Sequence, residues 1–253
     1  MVFVGPHPLC APQITHLPTL IGNLSSLHIL ELASNRLEVL PATFGNLTNI
    51  AKLNLECNRL RRIPETLSRL TIKTLNLNSN ELVNLPHCIG QMPNLKSLSV
   101  NDNRLKYLPG DITASKTLAQ LHVCNNRLME LPDDIGKIGP SLTNLWLDFN
   151  NLTALPMSFH KMTSLVELKM EGNPGMVFPT IDKIIRGPKA VVAWSKKRYS
   201  TSLFARQQVR MQSAERRAKT RRIAPNAAQT ASALFAPSPP LFTLVRCVHT
   251  CVV

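Results

Sequence analysis

The sequence is poor in aromatic residues and contains no long apolar run. Aromatic side chains make up 5% of the 253 residues, so a core has to be built from aliphatic side chains. No apolar run approaches the roughly 20 residues that a membrane-spanning helix needs, and we expect no transmembrane segment. The opening MVFVGPHPLC lacks a basic start and a long enough apolar stretch to be a signal peptide.

The cysteines show no close paired spacing, which argues against a disulfide framework. We expect free thiols in a reducing compartment. Cys247, His249 and Cys251 offer three metal ligands, but their spacing is too tight for a usual zinc clip. Cys251 is third from the end, whereas prenylation requires a cysteine in the fourth position. The sequence therefore predicts no metal and no cofactor. The six cysteines are Cys10, Cys57, Cys88, Cys124, Cys247 and Cys251.

Positive charge is concentrated in the last third of the chain. The net charge is +14, yet residues 1–180 carry 15 Lys and Arg against 13 Asp and Glu. Residues 181–253 carry 14 against 2. A basic character that could attract nucleic acid or anionic lipid is therefore a property of the C-terminal part alone.

A repeat of 22 to 24 residues accounts for most of the remaining sequence. The first full unit, LHILELASNRLEVLPATFGNLTN, spans residues 27–49, and later units begin at Ile50, Ile72, Leu95, Leu118, Leu142 and Leu165. We number these units repeats 1 to 7. Each carries leucines or equivalent apolar residues in the pattern LxxLxL, followed by an asparagine, and most carry a Leu-Pro step. The asparagines are Asn35, Asn58, Asn80, Asn103, Asn126, Asn150 and Asn173.

This spacing predicts an α/β solenoid. The second and third leucines of LxxLxL lie two residues apart, so both point to one side of a strand. The asparagine follows the strand, where its amide can satisfy backbone groups of neighbouring turns. Proline then interrupts any long helix and favours a short helical or 3-10 turn on the return side. The repeats cannot bury their leucines alone, so we expect a curved stack with parallel strands on the concave face. Amphipathic helical repeats are the alternative, but a proline within each unit argues against them.

The units resemble those of the intracellular Ras-group leucine-rich-repeat proteins, over about residues 14–194. Asn173-Pro174, Pro179, Ile181, Ile184, Gly187 and Trp194 look like that family's closing repeat and covering helix. The resemblance implies a solenoid over residues 27–179, a covering helix over 180–200, a non-enzymatic role in signal transduction and a cytoplasmic location. It also implies a small GTPase or a phosphatase as a partner, on family resemblance alone.

Residues 1–26 form a partial, degenerate first unit. Ile14, Leu17 and Ile21 match the second half of a repeat, but Pro12 occupies the asparagine position. A first half would begin near Val4. We expect either a disordered, poorly sealed start or upstream repeats that this sequence does not include.

The side chains that alternate with the buried leucines define a candidate partner-binding face. Most are small and polar, and Trp146 is the exception. A tryptophan on a polar face is typical of an interaction hot spot, although it could instead lie flat and cover neighbouring repeats. The predicted binding residues are Glu31, Asn54, Glu56, Asn76, Asn78, Ser99, Asn101, His122, Trp146, Asp148 and Lys169.

His122, Cys124 and Asp148 share this face and could be drawn as a nucleophile or a metal site. The sequence offers no oxyanion hole, lid or fourth ligand to accompany them. A polar binding surface with an incidental thiol is the preferred interpretation, and we predict no enzymatic activity. Cys57, just before Asn58, is interpreted as a small filler.

Residues 201–253 are predicted to be a basic helix or a disordered tail. Basic clusters at 196–198 and 216–222 could bind nucleic acid or anionic lipid or act as a nuclear import signal. No aromatic stacking platform accompanies them. Residues 223–240, rich in Ala, Ser and Pro, look like a linker. Two functions remain open: a scaffold that binds proteins on its concave face, or a protein localised to nucleic acid or membrane by its tail. The sequence leaves the oligomeric state open.

Overall fold

A computed structural model describes residues 2–3, 13–177, 179 and 186–232. Its strands form one parallel sheet in which neighbours along the chain are neighbours in space. One short strand falls in each of the seven repeats, as the leucine spacing predicts. The strands are β1 (Val2–Phe3), β2 (Ile29–Glu31), β3 (Lys52–Asn54), β4 (Thr74–Asn76), β5 (Ser97–Ser99), β6 (Gln120–His122), β7 (Asn144–Trp146) and β8 (Glu167–Lys169).

Short 3-10 turns form the return side of the repeats. A proline stands immediately before six of them with φ between −61° and −69°, for example Pro41 and Pro109. Proline is preset for this φ and cannot continue a hydrogen-bonded helix through itself, so each turn begins there and stays short. The predicted leucine-rich-repeat solenoid is confirmed. The turns are η1 (Thr19–Asn23), η2 (Ala42–Asn46), η3 (Glu65–Arg69), η4 (His87–Gln91), η5 (Gly110–Ala114), η6 (Ile135–Ile138) and η7 (Met157–Lys161).

The core is a continuous column of aliphatic side chains between the strands and the turns. The central strand residues Leu53, Leu75 and Leu98 are fully buried and stand in register with one another. Phe44 and Phe159 fill the space on the turn side. Burying one such side chain contributes on the order of 1.5–3 kcal/mol, so the stack rather than any single repeat supplies the stability.

The N-terminal segment joins this stack. Val2 pairs with Leu30 in parallel register, whereas the 23-residue period places His7 opposite Leu30. Ile14, Leu17 and Ile21 pack against the core. Within the partial first unit, residues 1–26, the structure describes Val2–Phe3 and residues 13–26, whereas Pro12 lies outside the described residues.

The residue before each asparagine of the repeat adopts a left-handed backbone. Six of these residues are not glycine, which is uncommon because a Cβ crowds the backbone at positive φ. Cys57 is one of them, with a φ of 55°. Its position is therefore distinguished by its backbone conformation, whereas the sequence alone indicates a small filler. The set comprises Ser34, Cys57, Ser79, Asp102, Asn125, Phe149 and Gly172.

Helix α1 (Pro188–Ser232) follows the last repeat. It begins directly after Gly187, which turns at positive φ, and Pro188 suits the first helical position. Residues 180–185 of the predicted covering helix lie outside the described residues. Val191 is fully buried in the core and Ser195 is also buried. The Tyr199 ring stacks on His160 of η7, with 4.2 Å between ring centroids. Of the residues expected near this closing end, Ile181 and Ile184 lie outside the described residues.

The chain divides into two compact units, residues 1–201 and 202–253. In the second unit the helix continues to Ser232, so residues 223–232 are helical where the composition predicts a linker. Leu203, Phe204, Val209 and Met211 are exposed. The side chains of the basic cluster at 216–222, and Cys247, His249 and Cys251, lie outside the described part. Among the described residues, no helix has the length and apolar character needed to cross a bilayer.

Candidate partner-binding face

We define the ladder face as the side chains of the first and third residues of strands β2 to β8, together with the residue two positions further on in each repeat. It carries five carboxylates, Glu31, Glu56, Asp148, Glu167 and Glu171, against Lys52 and Lys169, a net charge of −3. All eleven predicted binding residues lie on it. Ten of them are half-buried and Lys169 is exposed.

The repeat asparagines hold successive turns together beneath this face. The Asn103 side chain illustrates the pattern: Oδ1 accepts the backbone N–H of Leu82 at 2.9 Å, and Nδ2 donates to the carbonyl of Leu77 at 3.0 Å. Both partners belong to the preceding repeat, and Nδ2 also reaches two carbonyls of its own turn. The oxygen of every repeat asparagine accepts an N–H from the preceding unit: Asn35, Asn58, Asn80, Asn103, Asn126, Asn150 and Asn173.

Several side chains predicted to bind a partner also cap the backbone. Asn78 Oδ1 accepts the N–H of Asn101 at 2.8 Å, and Asn101 Oδ1 accepts the N–H of Cys124 at 2.7 Å. Asp148 Oδ1 accepts the N–H of Glu171 in the same way, at 2.8 Å. These N–H groups follow the strands and would otherwise be left without acceptors. Sequence reasoning missed this second role, although amide or carboxylate side chains at these equivalent positions were a visible signal.

A three-residue stack occupies the face at β6 to β8. The Trp146 indole lies parallel to the His122 imidazole, with 4.0 Å between ring centroids and 17° between the planes. On the other side, Lys169 Nζ lies 3.7 Å from the centre of the indole ring. Cation–π attraction and ring stacking therefore hold the indole between its neighbours on β6 and β8. The sequence pattern predicts that Trp146 projects from the face. In the structure the indole is half-buried against its two neighbours and does not project freely.

Burial keeps His122 neutral. It lowers the pKa of the ring and outweighs the nearby Glu167 carboxylate, which raises that pKa, while the Lys169 ammonium adds a smaller effect in the same direction as burial. The ring accepts or donates at Nδ1 with Ser99 Oγ, 3.3 Å away, while Nε2 is buried without a partner among the described residues. Asn144 donates a hydrogen bond to the Glu167 carboxylate at 2.7 Å, and this bond lowers the pKa of Glu167. Hydrogen bonds from Trp146 and Lys169 lower the same pKa further.

The thiol beside the stack is poorly suited to nucleophilic chemistry. Burial raises the pKa of Cys124 to about 11, and its Sγ donates to Asp148 Oδ2 at 3.6 Å. A thiolate, the reactive form, is therefore scarce near neutral pH. No group of three His, Cys, Asp or Glu side chains is placed to hold a metal ion in the described residues. The arrangement can offer an aromatic edge, charge and hydrogen bonds to a partner.

The remainder of the ladder face is polar and largely self-paired. Lys52 forms an ion pair with Glu31 at 3.1 Å. Asn76 donates to Glu56 at 3.0 Å. Surface ion pairs of this kind contribute at most about 1 kcal/mol each, so they orient side chains more than they stabilise the fold.

The repeat model described as "Leucine rich repeat" matches residues 25–82, 48–105 and 116–174, which together cover more than half of the chain. The chain belongs to the leucine-rich repeat family. The comparison with curated proteins found no match. Leucine-rich repeat proteins are generally non-enzymatic binding scaffolds, and no catalytic family is indicated for this member.

Solved structures with the same fold include bacterial and plant proteins. A leucine-rich repeat protein of Leptospira interrogans is 30% identical, with a TM-score of 0.53; the match covers 69% of this chain and 50% of that protein. The plant peptide hormone receptor RGFR1, in complex with RGF2, is 28% identical with a TM-score of 0.56, over 61% of this chain and 26% of the receptor. The ectodomain of the Arabidopsis thaliana receptor kinase GASSHO1/SCHENGEN3, in complex with CASPARIAN STRIP INTEGRITY FACTOR 2, is 30% identical with a TM-score of 0.54. That match covers 59% of this chain and 19% of the ectodomain. The chain thus spans half or less of the length of these structures.

Proposed function

We propose that this leucine-rich repeat chain is a non-enzymatic scaffold that binds a protein partner on its ladder face. The observation that carries the proposal is the His122–Trp146–Lys169 stack. It places a rigid, half-buried aromatic group on an otherwise small and polar face, and a side chain already held in place loses little entropy on binding.

The surroundings of Trp146 favour a binding role over a purely structural one. The core beneath the strand is already closed by fully buried Leu145 and Leu147, so the indole is not needed to exclude water from it. Leu121 and Val123 close the core in the same way beneath His122. The stack therefore lies on top of a complete core, where a partner can cover it.

The Ras-group resemblance of the repeats extends the proposal to signal transduction in the cytoplasm, with a small GTPase or a phosphatase as partner. The free thiols of Cys57, Cys88 and Cys124 support a reducing compartment. The imaging of a fluorescent fusion in intact cells tests the location, and signal confined to the secretory pathway would contradict it.

Affinity capture with the full chain tests the binding proposal. Trp146→Ala is compared with Phe149→Ser, which removes an exposed aromatic ring that does not belong to the ladder face. We expect Trp146→Ala to weaken capture of the partners about tenfold or more, while thermal unfolding stays near that of the parent chain. Equal capture by both variants, or loss of folding in Trp146→Ala, would contradict the proposal.

A second candidate is binding to nucleic acid or anionic lipid through helix α1. Lys196, Lys197, Arg206 and Arg210 are exposed on it. Binding of this kind weakens steeply as salt rises, because counterions compete for the same charges. Binding of duplex DNA or phosphatidylserine vesicles that does not change between low and high salt would exclude it.

A further inference from the structure

A second surface, adjacent to the ladder face, has the opposite charge. We define the basic rim as the residues one, three and four positions after the repeat asparagine in repeats 1 to 6. These 18 positions hold seven cationic and three anionic side chains, a net charge of +4. The cations are Arg36, Arg59, Arg61, Arg62, Arg104, Lys106 and Arg127, and all of them are exposed. The anions are Glu38, Glu81 and Glu130.

Contacts between neighbouring repeats join these positions into one surface. Glu81 Oε2 lies 3.7 Å from Arg61 Nε of the preceding repeat and 3.3 Å from Arg104 Nη1 of the following repeat. Tyr107 Oη donates to Met129 Sδ of the next repeat at 3.7 Å. The three columns of the rim therefore touch one another across repeats 2 to 5.

The backbone fixes where the cations stand. The N–H groups of Arg59, Arg104 and Arg127 each donate at 2.9 Å to a leucine carbonyl of the preceding repeat. The arginine column thus follows the stacking of the repeats, about 4.8 Å apart. No ion pair joins Arg59, Lys106 or Arg127 to a carboxylate within the described chain.

Exposed apolar side chains are interleaved with these cations. Val83, Tyr107 and Met129 are 41%, 47% and 53% exposed, and they lie among Arg61, Arg104, Lys106 and Arg127. Val39 extends this set toward the N-terminal end of the rim. An exposed apolar surface that is contiguous with charge is typical of a protein interaction site.

We infer that the basic rim binds an acidic protein segment whose carboxylates are interspersed with apolar side chains. The carboxylates pair with the unpaired cations, and arginine suits them because its guanidinium can donate two parallel hydrogen bonds. The apolar side chains of the partner cover Val83, Tyr107 and Met129. The inference is independent of the ladder-face proposal, because it uses other residues.

The composition of the rim favours this partner over nucleic acid. Single-stranded nucleic acid binds through several aromatic side chains on which bases stack, and Tyr107 is the one aromatic side chain among the 18 rim positions. A phosphate backbone would also leave Val83 and Met129 uncovered and would be repelled by Glu38, Glu81 and Glu130.

The test measures the binding of labelled probes to the full chain by fluorescence anisotropy. The main probe is a peptide of about 12 residues in which Glu alternates with Leu, long enough to span the rim at roughly 3.3 Å per residue. The comparison probes are a Glu/Ser peptide of equal charge, a Lys/Leu peptide and an oligothymidine of equal length. We expect the Glu/Leu peptide to bind tightest, with the Glu/Ser peptide about fivefold weaker because it covers no apolar surface.

Variants then locate the site. We expect Arg59→Glu, Arg104→Glu and Arg127→Glu, combined, to weaken binding of the Glu/Leu peptide by about tenfold or more. The combined control Lys73→Glu, Lys96→Glu and Lys116→Glu changes the net charge equally at exposed lysines outside the rim, and should alter binding by less than about twofold. The ladder-face variant Trp146→Ala should bind the peptide as the parent chain does.

Glu81→Gln is expected to strengthen peptide binding, a result that misfolding of the variant could not produce. The substitution releases Arg61 and Arg104 from their internal carboxylate, and we expect the affinity for the Glu/Leu peptide to rise about two- to threefold. Equal losses in the rim and control triples, tighter binding of oligothymidine than of the peptide, or no gain in Glu81→Gln would each overturn the inference.

Discussion

The amide of Asn103 replaces water for several backbone groups at once. It accepts one N–H and donates to three carbonyls, drawn from two successive repeats. A buried backbone group without a partner costs about 1–3 kcal/mol, so a single side chain decides how well two repeats are joined.

Asn103→Ala removes all four hydrogen bonds and leaves the buried N–H of Leu82 without an acceptor. We expect the free energy of unfolding to fall by about 3 kcal/mol, measured by urea denaturation. Asn84→Ala is the control, because Asn84 is exposed and takes part in no side-chain hydrogen bond of the described chain. A change of similar size in both variants would contradict this account of the asparagine ladder.

His122 makes the stack sensitive to pH. Its pKa in the folded chain lies below the ordinary value of 6.5, mainly because burial disfavours the charged ring. As pH falls, His122 is therefore protonated at a higher pH in the unfolded chain than in the folded chain. The stability that the neutral ring contributes is complete above pH 6.5 and is lost as pH falls through the pKa of the folded chain.

An NMR titration of the His122 ring, assigned by its absence in His122→Gln, measures this directly. We expect a midpoint below 6.5, and a larger loss of stability on acidification in the parent chain than in His122→Gln. A midpoint at or above 6.5 would show that the ring is not held neutral by its burial.

At the scale of elements, the close approach of successive 3-10 turns depends on small residues. A Cβ on Gly90 in η4 would overlap the carbonyl of Asp111 in η5, which belongs to the next repeat. A Cβ on Gly110, the first residue of η5, would meet nothing within 4 Å. Close packing therefore requires glycine at position 90 but not at position 110, so a comparison of the two positions distinguishes a packing requirement from the backbone flexibility of glycine.

Gly90→Ala should destabilise the chain by about 1–3 kcal/mol, since the turns must move apart. Gly110→Ala should leave stability unchanged or raise it by about 0.4–1 kcal/mol, by restricting the unfolded chain. Differential scanning calorimetry of both variants measures the contrast. If the two substitutions shifted the melting temperature alike, close packing between η4 and η5 would not be the cause.

The positions of the strands and turns could be predicted from the sequence, whereas the backbone conformation before each repeat asparagine and the end of helix α1 could not. Leu53, Leu75 and their equivalents recur at a fixed period, and the period predicts both strands and turns because each repeat meets the same neighbours. The left-handed backbone at Cys57 and Phe149 is set by the turn into the asparagine, and residue type alone does not reveal it. The sequence leaves open where helix α1 ends and allows a basic helix or a disordered tail after residue 200, because residues rich in Lys, Arg, Gln and Ala can continue a helix without a packing signal.

The candidate face was predictable in its members but not in its contacts. Alternation along the strands places His122, Trp146 and Lys169 side by side. Whether the indole projects freely or packs between its neighbours depends on side-chain rotamers and on the Lys169 cation beside it, which the spacing does not encode. The capping roles of Asn78 and Asn101 depend likewise on which backbone N–H groups the ladder leaves unpaired.

At the scale of the repeat stack in residues 1–201, repeats of the same fold build two surfaces of opposite net charge. The ladder face has a net charge of −3 and the basic rim a net charge of +4, although residues 1–180 are nearly neutral as a whole. Charge is thus sorted by position within the repeat. A scaffold with two such surfaces can hold partners of different chemistry at the same time.

Site-specific photo-cross-linking tests most directly whether the ladder face is the partner-binding surface. A benzophenone amino acid replaces Gln120, an exposed ladder-face residue next to the stack, or Lys116, an exposed residue that is not on that face. We expect cross-linked protein partners from position 120 that are absent from position 116, and that disappear when Trp146→Ala is added. Cross-links of equal yield from both positions, or yields unaffected by Trp146→Ala, would contradict the central claim.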